Sequence, residues 1–112
     1  MVDRRGKQLD TVEIPALRAM IERLGAHADE LRARGIRHAA VFGSVARGDS
    51  GPQSDVDVLV EIDSAAELTL LDYVAIERRL SEILLRPADL VNRKTLKPFL
   101  RERILAEAVD AF

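Results

Sequence analysis

Residues 43–57 read GSVARGDSGPQSDVD and separate two apolar segments of the chain. The first segment, residues 36–42, is short and bounded by glycines, which predicts a buried strand. The second, residues 55–62, alternates carboxylate and aliphatic side chains before it becomes continuously apolar, which predicts a second strand. The chain therefore places a glycine-containing turn directly after one strand and a pair of carboxylates, Asp55 and Asp57, at the start of the next.

The two aspartates are spaced so that they share one face of the strand. Side chains at positions i and i+2 of a strand project to the same side, roughly 6.5–7 Å apart along the chain. Two carboxylates at that separation can share one Mg²⁺ or bracket two, because Mg²⁺ prefers oxygen ligands and is held by one or two carboxylates plus substrate phosphates. An Asp-x-Asp pair alone is common, and the alternative interpretation of Asp55 and Asp57 is two solvated side chains at a strand edge.

The dipeptide Gly43-Ser44 supplies features that a phosphate group requires. Glycine lets the backbone approach a phosphate closely, and the N–H groups at the start of a following helix attract anions. The Ser44 hydroxyl can bind a β- or γ-phosphate oxygen. Alone, Gly-Ser is an ordinary turn and helix cap. Its position directly after one strand, with ten residues between it and the aspartate pair, favours a triphosphate-binding turn.

Two further residues are candidates for the same site. Arg47 follows Ser44 by three residues and lies on the same side of a short helix, where it either steadies phosphates or pairs with Asp49 or the aspartate pair. Asp89 has apolar neighbours in a predicted third strand, where an unpaired carboxylate is expensive to bury. If the third strand lies beside the second, Asp89 joins the aspartate pair as a metal ligand or as the base for an incoming hydroxyl. The alternative is an edge-strand or turn aspartate.

The remaining pattern predicts helices over residues 11–34, 65–85 and 95–112 and a short strand over 88–92, with Asp63 or Ser64 as the cap of the middle helix. The order α-β-α-β-α-β-α predicts an α/β (α+β) fold, a small mixed sheet of about three strands covered by helices. The predicted apolar stripes are Ile14, Leu17, Met20 (or Ile21), Leu24, Ala28 and Leu31 in the first helix, Leu68, Leu71, Val74 (or Tyr73), Leu80 and Leu84 in the second, and Leu96, Leu100, Ile104 and Ala108 in the third.

Composition limits the classes of protein that fit. A length of 112 residues, 47% apolar and 32% charged, predicts one globular domain, with the polar residues 1–10 expected to be flexible. The formal charge of −2 provides no basic field, which disfavours direct binding of nucleic acid. No cysteine is present, so disulfides and thiolate metal sites are excluded. No apolar stretch approaches the roughly 18 residues of a membrane span, and the N-terminus has no signal-peptide core, so a cytoplasmic location is expected.

The motif as a whole resembles a known family. Gly43-Ser44, ten intervening residues, Asp55-x-Asp57 and the later strand aspartate Asp89 resemble the DNA polymerase β-like nucleotidyltransferase superfamily. Residues 42–48 and 54–61 are more closely similar to the minimal nucleotidyltransferases, short prokaryotic proteins often encoded beside a HEPN-domain protein. The segment Pro-Ala-Asp-Leu-Val stands where that family typically has Val-Asp-Leu-Val, so the resemblance gives Asp89 the role of third carboxylate.

The resemblance also implies an activity. It implies that Asp55 and Asp57 bind Mg²⁺, that Asp89 helps to complete the site, and that Gly43 and Ser44 hold the triphosphate of ATP. We expect all three aspartates to be catalytic and to bind Mg²⁺, as two ions, and Arg47 to contribute to nucleotide binding. It further implies an antitoxin that transfers AMP from ATP to a tyrosine of a partner HEPN-type toxin. The alternative is a non-catalytic antitoxin that neutralises its partner by forming a complex. The intact acid cluster favours catalysis, because binding alone does not require like charges to be held together.

Overall fold

The computed structural model describes residues 14–49, 51 and 54–112. The expectation for residues 1–10 and the predicted helix start at Thr11 lie outside them. The described helices are α1 (Ile14–Ala26), α2 (Ala28–Ala33), α3 (Gly43–Arg47), α4 (Leu70–Leu84) and α5 (Pro98–Glu107), and the strands are β1 (Ile36–Phe42), β2 (Val56–Ile62), β3 (Ala88–Asn92) and β4 (Val109–Asp110). None of the described helices is both long enough and apolar enough to cross a bilayer.

The strands form one mixed sheet in the order β3-β2-β1-β4. Strand β2 pairs parallel with β3 and antiparallel with β1, and β1 pairs antiparallel with β4. The predicted fold class, a small mixed sheet covered by helices, is confirmed. The strand number is corrected from about three to four among the described residues, because a short C-terminal strand completes the edge beside β1.

Alternation along β2 assigns the two faces of the sheet different roles. Val56, Val58 and Val60 belong to the main core, whose other buried members come from β1 and β3 and from the helices α1, α2, α3 and α4. Leu59 lies on the opposite face in a smaller apolar cluster with Phe42, packed against the partly buried α5 residues Ile104 and Leu105. Because strand side chains alternate with a period of two, Asp57 shares the α5 face with Leu59. The candidate site therefore lies on the face that α5 covers.

The first predicted helix is wrong in one respect, because the structure divides it into α1 and α2 at His27. His27 leaves helical geometry, with φ −107° and ψ 17°, its backbone N–H donates to the Leu24 carbonyl, and its ring Nδ1 is hydrogen-bonded to the Arg23 carbonyl at 2.9 Å. This side-chain bond competes with the regular helical pattern. The apolar stripe survives the break, with Leu17, Met20, Leu24 and Leu31 buried.

Helix α4 begins later than predicted. It starts at Leu70 with Thr69 as its cap, and Thr69 and Asp72 form a reciprocal capping box that satisfies two backbone N–H groups. Asp63, a predicted cap, instead accepts a bond from the Ala65 N–H in a separate turn. The predicted stripe is also partly wrong, because Leu71 and Val74 are exposed while Leu80 and Leu84 are buried.

The predicted C-terminal helix over 95–112 is shorter than expected. A 3₁₀ turn precedes α5, which ends at Glu107, and the backbone of Ala108 is extended. Residues 109–110 then pair with β1, and the Ala111 N–H donates to the Ala39 carbonyl at 2.9 Å. The N–H and C=O groups at the outer edge of β1 would have no backbone partners if the helix continued. The extended C-terminal segment supplies those partners.

The opposite edge of the sheet is covered by side chains of α4. The Ala88 N–H donates to Ser81 Oγ at 2.9 Å, and the Leu90 N–H donates to Glu77 Oε2 at 3.2 Å. Strand β3 thus forms a parallel ladder with β2 on one side and has side-chain acceptors for these two N–H groups on the other.

Candidate functional site

The sheet register brings together the three predicted carboxylates. Asp57 aligns with Asp89 on β3 and with Phe42 at the end of β1. Neighbouring strands lie about 4.8 Å apart and aligned side chains share a face, so Asp57 and Asp89 project side by side. Asp55, two residues before Asp57, projects to the same side. The predicted adjacency of the second and third strands is therefore confirmed.

Burial and the charges of neighbouring carboxylates raise the pKa values of Asp57 and Asp89. The pKa of Asp57 is raised, first by burial of its half-buried carboxylate and then by the charges of Asp89 and Asp55, while Arg47 opposes the shift. The pKa of Asp89 is raised by desolvation, by the charges of Asp55 and Glu77 and by a hydrogen bond with Asp55. Because the charged forms of Asp57 and Asp89 are disfavoured here, a cation bound beside them would be favourable.

The turn after β1 is shaped so that Asp57 fits beside it. Gly43 has φ +74°, a conformation that favours glycine. A Cβ at this position would overlap the Oδ2 atom of Asp57 and lie 3.0 Å from its Cγ. The Gly43 N–H donates to Glu107 Oε1 at 3.2 Å. In this structure Gly43 therefore provides space for a carboxylate, and its N–H is already engaged.

Ser44 and Arg47 occupy the same short helix but have different surroundings. Ser44 is partly exposed, and its hydroxyl has no hydrogen-bond partner within the described part of the chain. Arg47 Nη1 pairs with Glu107 Oε1 at 3.2 Å, and its Nε pairs with Asp49 Oδ2 at 3.3 Å. Arg47 was expected either to steady phosphates or to pair with an acid. In the structure it pairs with Asp49, as one alternative predicted, and also with Glu107, which the sequence did not indicate.

Sequence reasoning missed two residues that support the site. Glu107 is buried, and the available signal was an acid three residues after Ile104, within the apolar stripe of a helix. Arg86 donates through Nη2 to the carbonyls of Gly51 and Ser54, at 2.8 and 2.6 Å, and holds the chain just before Asp55. A side chain that binds backbone carbonyls 32 or more residues away leaves no local pattern.

The donor set fits Mg²⁺. Over residues 14–49, 51 and 54–112, no three His, Cys, Asp or Glu side chains are arranged to hold a metal ion by themselves. Asp55 and Asp57 supply oxygen ligands on one side of a strand, and Mg²⁺ usually combines one or two such carboxylates with substrate phosphates and water. The absence of a Cβ at Gly43 leaves room for the Asp57 carboxylate at this position.

The basic residues after β3 lie at the other end of the sheet. Arg93, Lys94 and Arg101 line a cleft of about 570 Å³ together with Glu61 and Tyr73. Glu61 lies four residues beyond Asp57 on β2, roughly 13 Å away along the strand. The catalytic candidates do not line this cleft, so it is separate from the acid cluster.

Comparison with known sequences identifies relatives over most of the chain. A family model described as "Nucleotidyltransferase domain" matches residues 24–111. The protein adenylyltransferase MntA of Thermococcus cleftensis is 39% identical over 87 residues, which cover 77% of this chain and 86% of the relative. A provisionally named protein adenylyltransferase of Methanocaldococcus jannaschii is 40% identical over 76 residues, 68% of this chain and 80% of the relative.

Solved structures share the fold. A structure described provisionally as a minimal nucleotidyltransferase superposes with a TM-score of 0.68 at 36% identity and covers 93% of this chain and 98% of its own. An AMPylated Shewanella oneidensis HEPN toxin in complex with an MNT antitoxin contains a chain with a TM-score of 0.59 at 17% identity, covering 83% of this chain and 71% of its own, a likeness of fold alone. With the family model spanning residues 24–111 and two relatives near 40% identity, the chain belongs to the nucleotidyltransferase domain family and is one of its minimal members.

Proposed function

We propose that this protein is a Mg²⁺-dependent adenylyltransferase that transfers AMP from ATP to a hydroxyl group of a partner protein. The observation that carries the proposal is the cluster of Asp55, Asp57 and Asp89 beside the turn at Gly43 and Ser44. Further support comes from the T. cleftensis relative, which is named a protein adenylyltransferase.

Each residue of the site has a role in this proposal. Asp55 and Asp57 hold Mg²⁺, with Asp89 completing the site or accepting the proton of the attacking hydroxyl. Bound Mg²⁺ supplies activation of the attacking oxygen and charge neutralisation at the departing pyrophosphate. Ser44 donates its hydroxyl hydrogen to a phosphate oxygen, and Arg47 steadies the turn that presents Ser44. The acceptor oxygen bonds to the α-phosphorus as the bond from that phosphorus to the pyrophosphate oxygen breaks.

We assign the acceptor to a tyrosine of a HEPN-type toxin and the protein to the antitoxin side of such a pair. Chains of the same fold occur in a toxin–antitoxin complex with AMP-PNP and in the complex with the tri-AMPylated S. oneidensis toxin. A protein substrate brings its own hydroxyl group to the open, partly exposed acid cluster.

The test is the intact mass of the partner protein after incubation with this protein, Mg²⁺ and each ribonucleoside triphosphate in turn. We expect a Mg²⁺-dependent gain of one or more AMP units with ATP. Asp57→Asn should lower the transfer rate about a hundredfold or more, the scale seen when a group that stabilises developing charge is removed. Asp29→Asn is the matched control, because Asp29 is an exposed carboxylate on α2 whose ion pair is with Arg32, 3.9 Å away. Full transfer by the Asp57 variant would refute the proposal.

The second candidate is a binding module that neutralises its partner by complex formation. It is favoured by exposed apolar side chains, since Leu70 and Leu71 on α4 are 80% exposed and Phe99 on α5 is 74% exposed. The double variant Asp55→Asn/Asp57→Asn separates the two functions. If it protects cells from the toxin as well as the wild type does, binding carries the biological effect; if protection is lost while the complex still forms, catalysis carries it.

A further inference from the structure

Glu107 is an unusual residue for its position in the fold. At 7% exposure it is the only buried polar or charged residue in the described part of the chain. It is the last residue of α5, and Ala108 and Val109 follow it directly into the backbone pairing with β1. A carboxylate removed from water is destabilising unless charged and hydrogen-bonding partners compensate. The identity of those partners therefore indicates what this residue is for.

The partners of Glu107 are the two ends of helix α3. Its Oε1 accepts a hydrogen bond from the Gly43 N–H at 3.2 Å. Its two carboxylate oxygens accept bonds from Arg47 Nη1 at 3.2 and 3.4 Å. Gly43 is the first residue of α3 and Arg47 the last, so one side chain from the end of α5 contacts both ends of the helix.

Helix α3 is too short to be stable by itself, so its contacts with the rest of the protein set its orientation: Val45 and Ala46 pack in the main core, and Glu107 holds the two ends. It has five residues, whereas an isolated helix is only marginally stable below roughly 12–15 residues. The helix carries the Ser44 hydroxyl, and its first residue leaves the space that the Asp57 carboxylate occupies. A small rotation of α3 would displace both the hydroxyl and the space beside Asp57.

We propose that Glu107 is a positioning residue, which fixes α3 so that Ser44 and the carboxylate of Asp57 face a triphosphate together. This inference rests on the proposed nucleotidyl transfer. Glu107 does not contact the nucleotide itself. It engages the Gly43 N–H, so that the Ser44 hydroxyl is the group of this turn left to bind a phosphate, and its charge is offset by Arg47.

The first measurement is independent of catalysis. Amide hydrogen exchange at Gly43, followed by NMR on ¹⁵N-labelled protein, should be slow in the wild type and at least about tenfold faster in Glu107→Ala, since the charge-assisted bond to the N–H is lost. Glu107→Gln should recover most of the protection, because its amide oxygen accepts the same bond. Unchanged exchange in Glu107→Ala would overturn the inference whatever the activity of the protein.

The second measurement separates positioning from stability. At a temperature where circular dichroism shows each variant folded, Glu107→Ala should raise KM for ATP about tenfold or more and weaken binding of a non-hydrolysable ATP analogue by a similar factor. Glu107→Gln should lie between the wild type and Glu107→Ala. Glu30→Ala is the control, because Glu30 also forms a two-bond ion pair between elements, with Arg79 of α4 at 2.6 and 2.9 Å.

The outcomes distinguish the two proposals. A wild-type KM in folded Glu107→Ala, with transfer intact, overturns the positioning role and leaves the proposed function standing. Equal KM increases in Glu107→Ala and Glu30→Ala would also overturn it, because they would indicate a general loss of packing. A wild-type protein that neither binds the analogue nor transfers AMP overturns both proposals.

Discussion

At the scale of single residues, the site depends on one close approach between Gly43 and Asp57. The glycine sits at φ +74°, and the space that its missing side chain leaves is filled by the Asp57 carboxylate. The absence of a Cβ at Gly43 thus permits both the left-handed backbone conformation and the position of the Asp57 carboxylate, a candidate metal ligand. Substitution at this glycine tests that dependence directly.

We expect Gly43→Ala to damage both stability and activity. A left-handed backbone costs a residue with a Cβ about 1–2 kcal/mol, and the new methyl group would also displace the Asp57 carboxylate. Thermal unfolding and initial rates of AMP transfer check this. The control is Gly25→Ala in α1, where a Cβ would make only an ordinary contact of 3.6 Å with the Ala111 carbonyl. That variant should be active and about 0.5–1 kcal/mol more stable. A Gly43→Ala protein with wild-type rates would contradict the role given to this glycine.

The raised pKa of Asp57 predicts a pH-dependent stability difference. A carboxyl whose pKa is higher in the folded than in the unfolded state binds more protons when folded, so its presence destabilises the protein as pH rises through the interval between the two pKa values. Asp57→Asn should therefore melt at a higher temperature than the wild type at pH 7. The difference should shrink as the pH falls through the interval between the raised pKa of folded Asp57 and the ordinary aspartate value, and it should vanish below that value.

Mg²⁺ should reduce the destabilisation that the charged Asp57 carboxylate causes. Added Mg²⁺ should raise the melting temperature of the wild type at pH 7 more than that of Asp57→Asn, because a cation relieves the repulsion among the three carboxylates. Melting curves with and without Mg²⁺, at matched ionic strength, measure the effect. An Asp57→Asn protein that is less stable than the wild type at pH 7 would contradict the electrostatic account.

The candidate site was predictable from sequence to the extent that its residues are local. Asp55 and Asp57 share a strand, and Gly43 and Ser44 share a turn, so spacing alone relates them. Pairing between β2 and β3 then adds Asp89. Glu107 contacts Gly43 across 64 positions of sequence, and no periodic pattern connects a helix end to a turn at that separation.

At the scale of elements, the apolar stripe predicted for α4 includes residues that the structure places on the exposed side of the helix. The exposed Leu71 and the buried Leu80 are both leucines at plausible positions of the same stripe. Leu80→Ala should destabilise the protein by about 2–5 kcal/mol because it leaves a cavity, and Leu71→Ala should change stability by less than about 0.5 kcal/mol. Chemical denaturation of both variants measures the difference. Equal losses would contradict the orientation of the helix.

Elements with strong local signals were predicted almost to the residue, and each error has its own physical cause. Strands β1 and β3 match the expected ranges, and β2 differs by one residue. The start of α4 was missed because residues 65–68 are good helix formers while the capping box at Thr69 decides the boundary. Strand β4 has two residues, too few for an alternating pattern, and it exists because β1 has an open edge.

At the scale of the whole molecule, the two faces of the sheet differ: one carries most of the apolar core and the other carries the candidate site. The face against α1, α2 and α4 carries the larger apolar core, while the face against α5 carries a smaller cluster and, at one end of the strands, the carboxylates. Acids that repel one another are tolerated because the apolar contacts that hold the sheet lie mainly behind them. This division lets a chain of 112 residues keep a destabilising site.

The hydrogen bonds that Ser81 and Glu77 accept from β3 also affect the tendency of the protein to aggregate. An uncovered strand edge is a template for another chain, and stacking of edges leads to fibrils. We expect Glu77→Ala/Ser81→Ala to form thioflavin-binding aggregates sooner than the wild type on gentle heating, because two N–H groups of β3 lose their acceptors. Glu82→Ala, an exposed change on the same helix, should not. Equal aggregation of all three proteins would show that this edge is protected by other means. On this account, two side chains of α4 protect the outer edge of β3 against pairing with another copy of the chain.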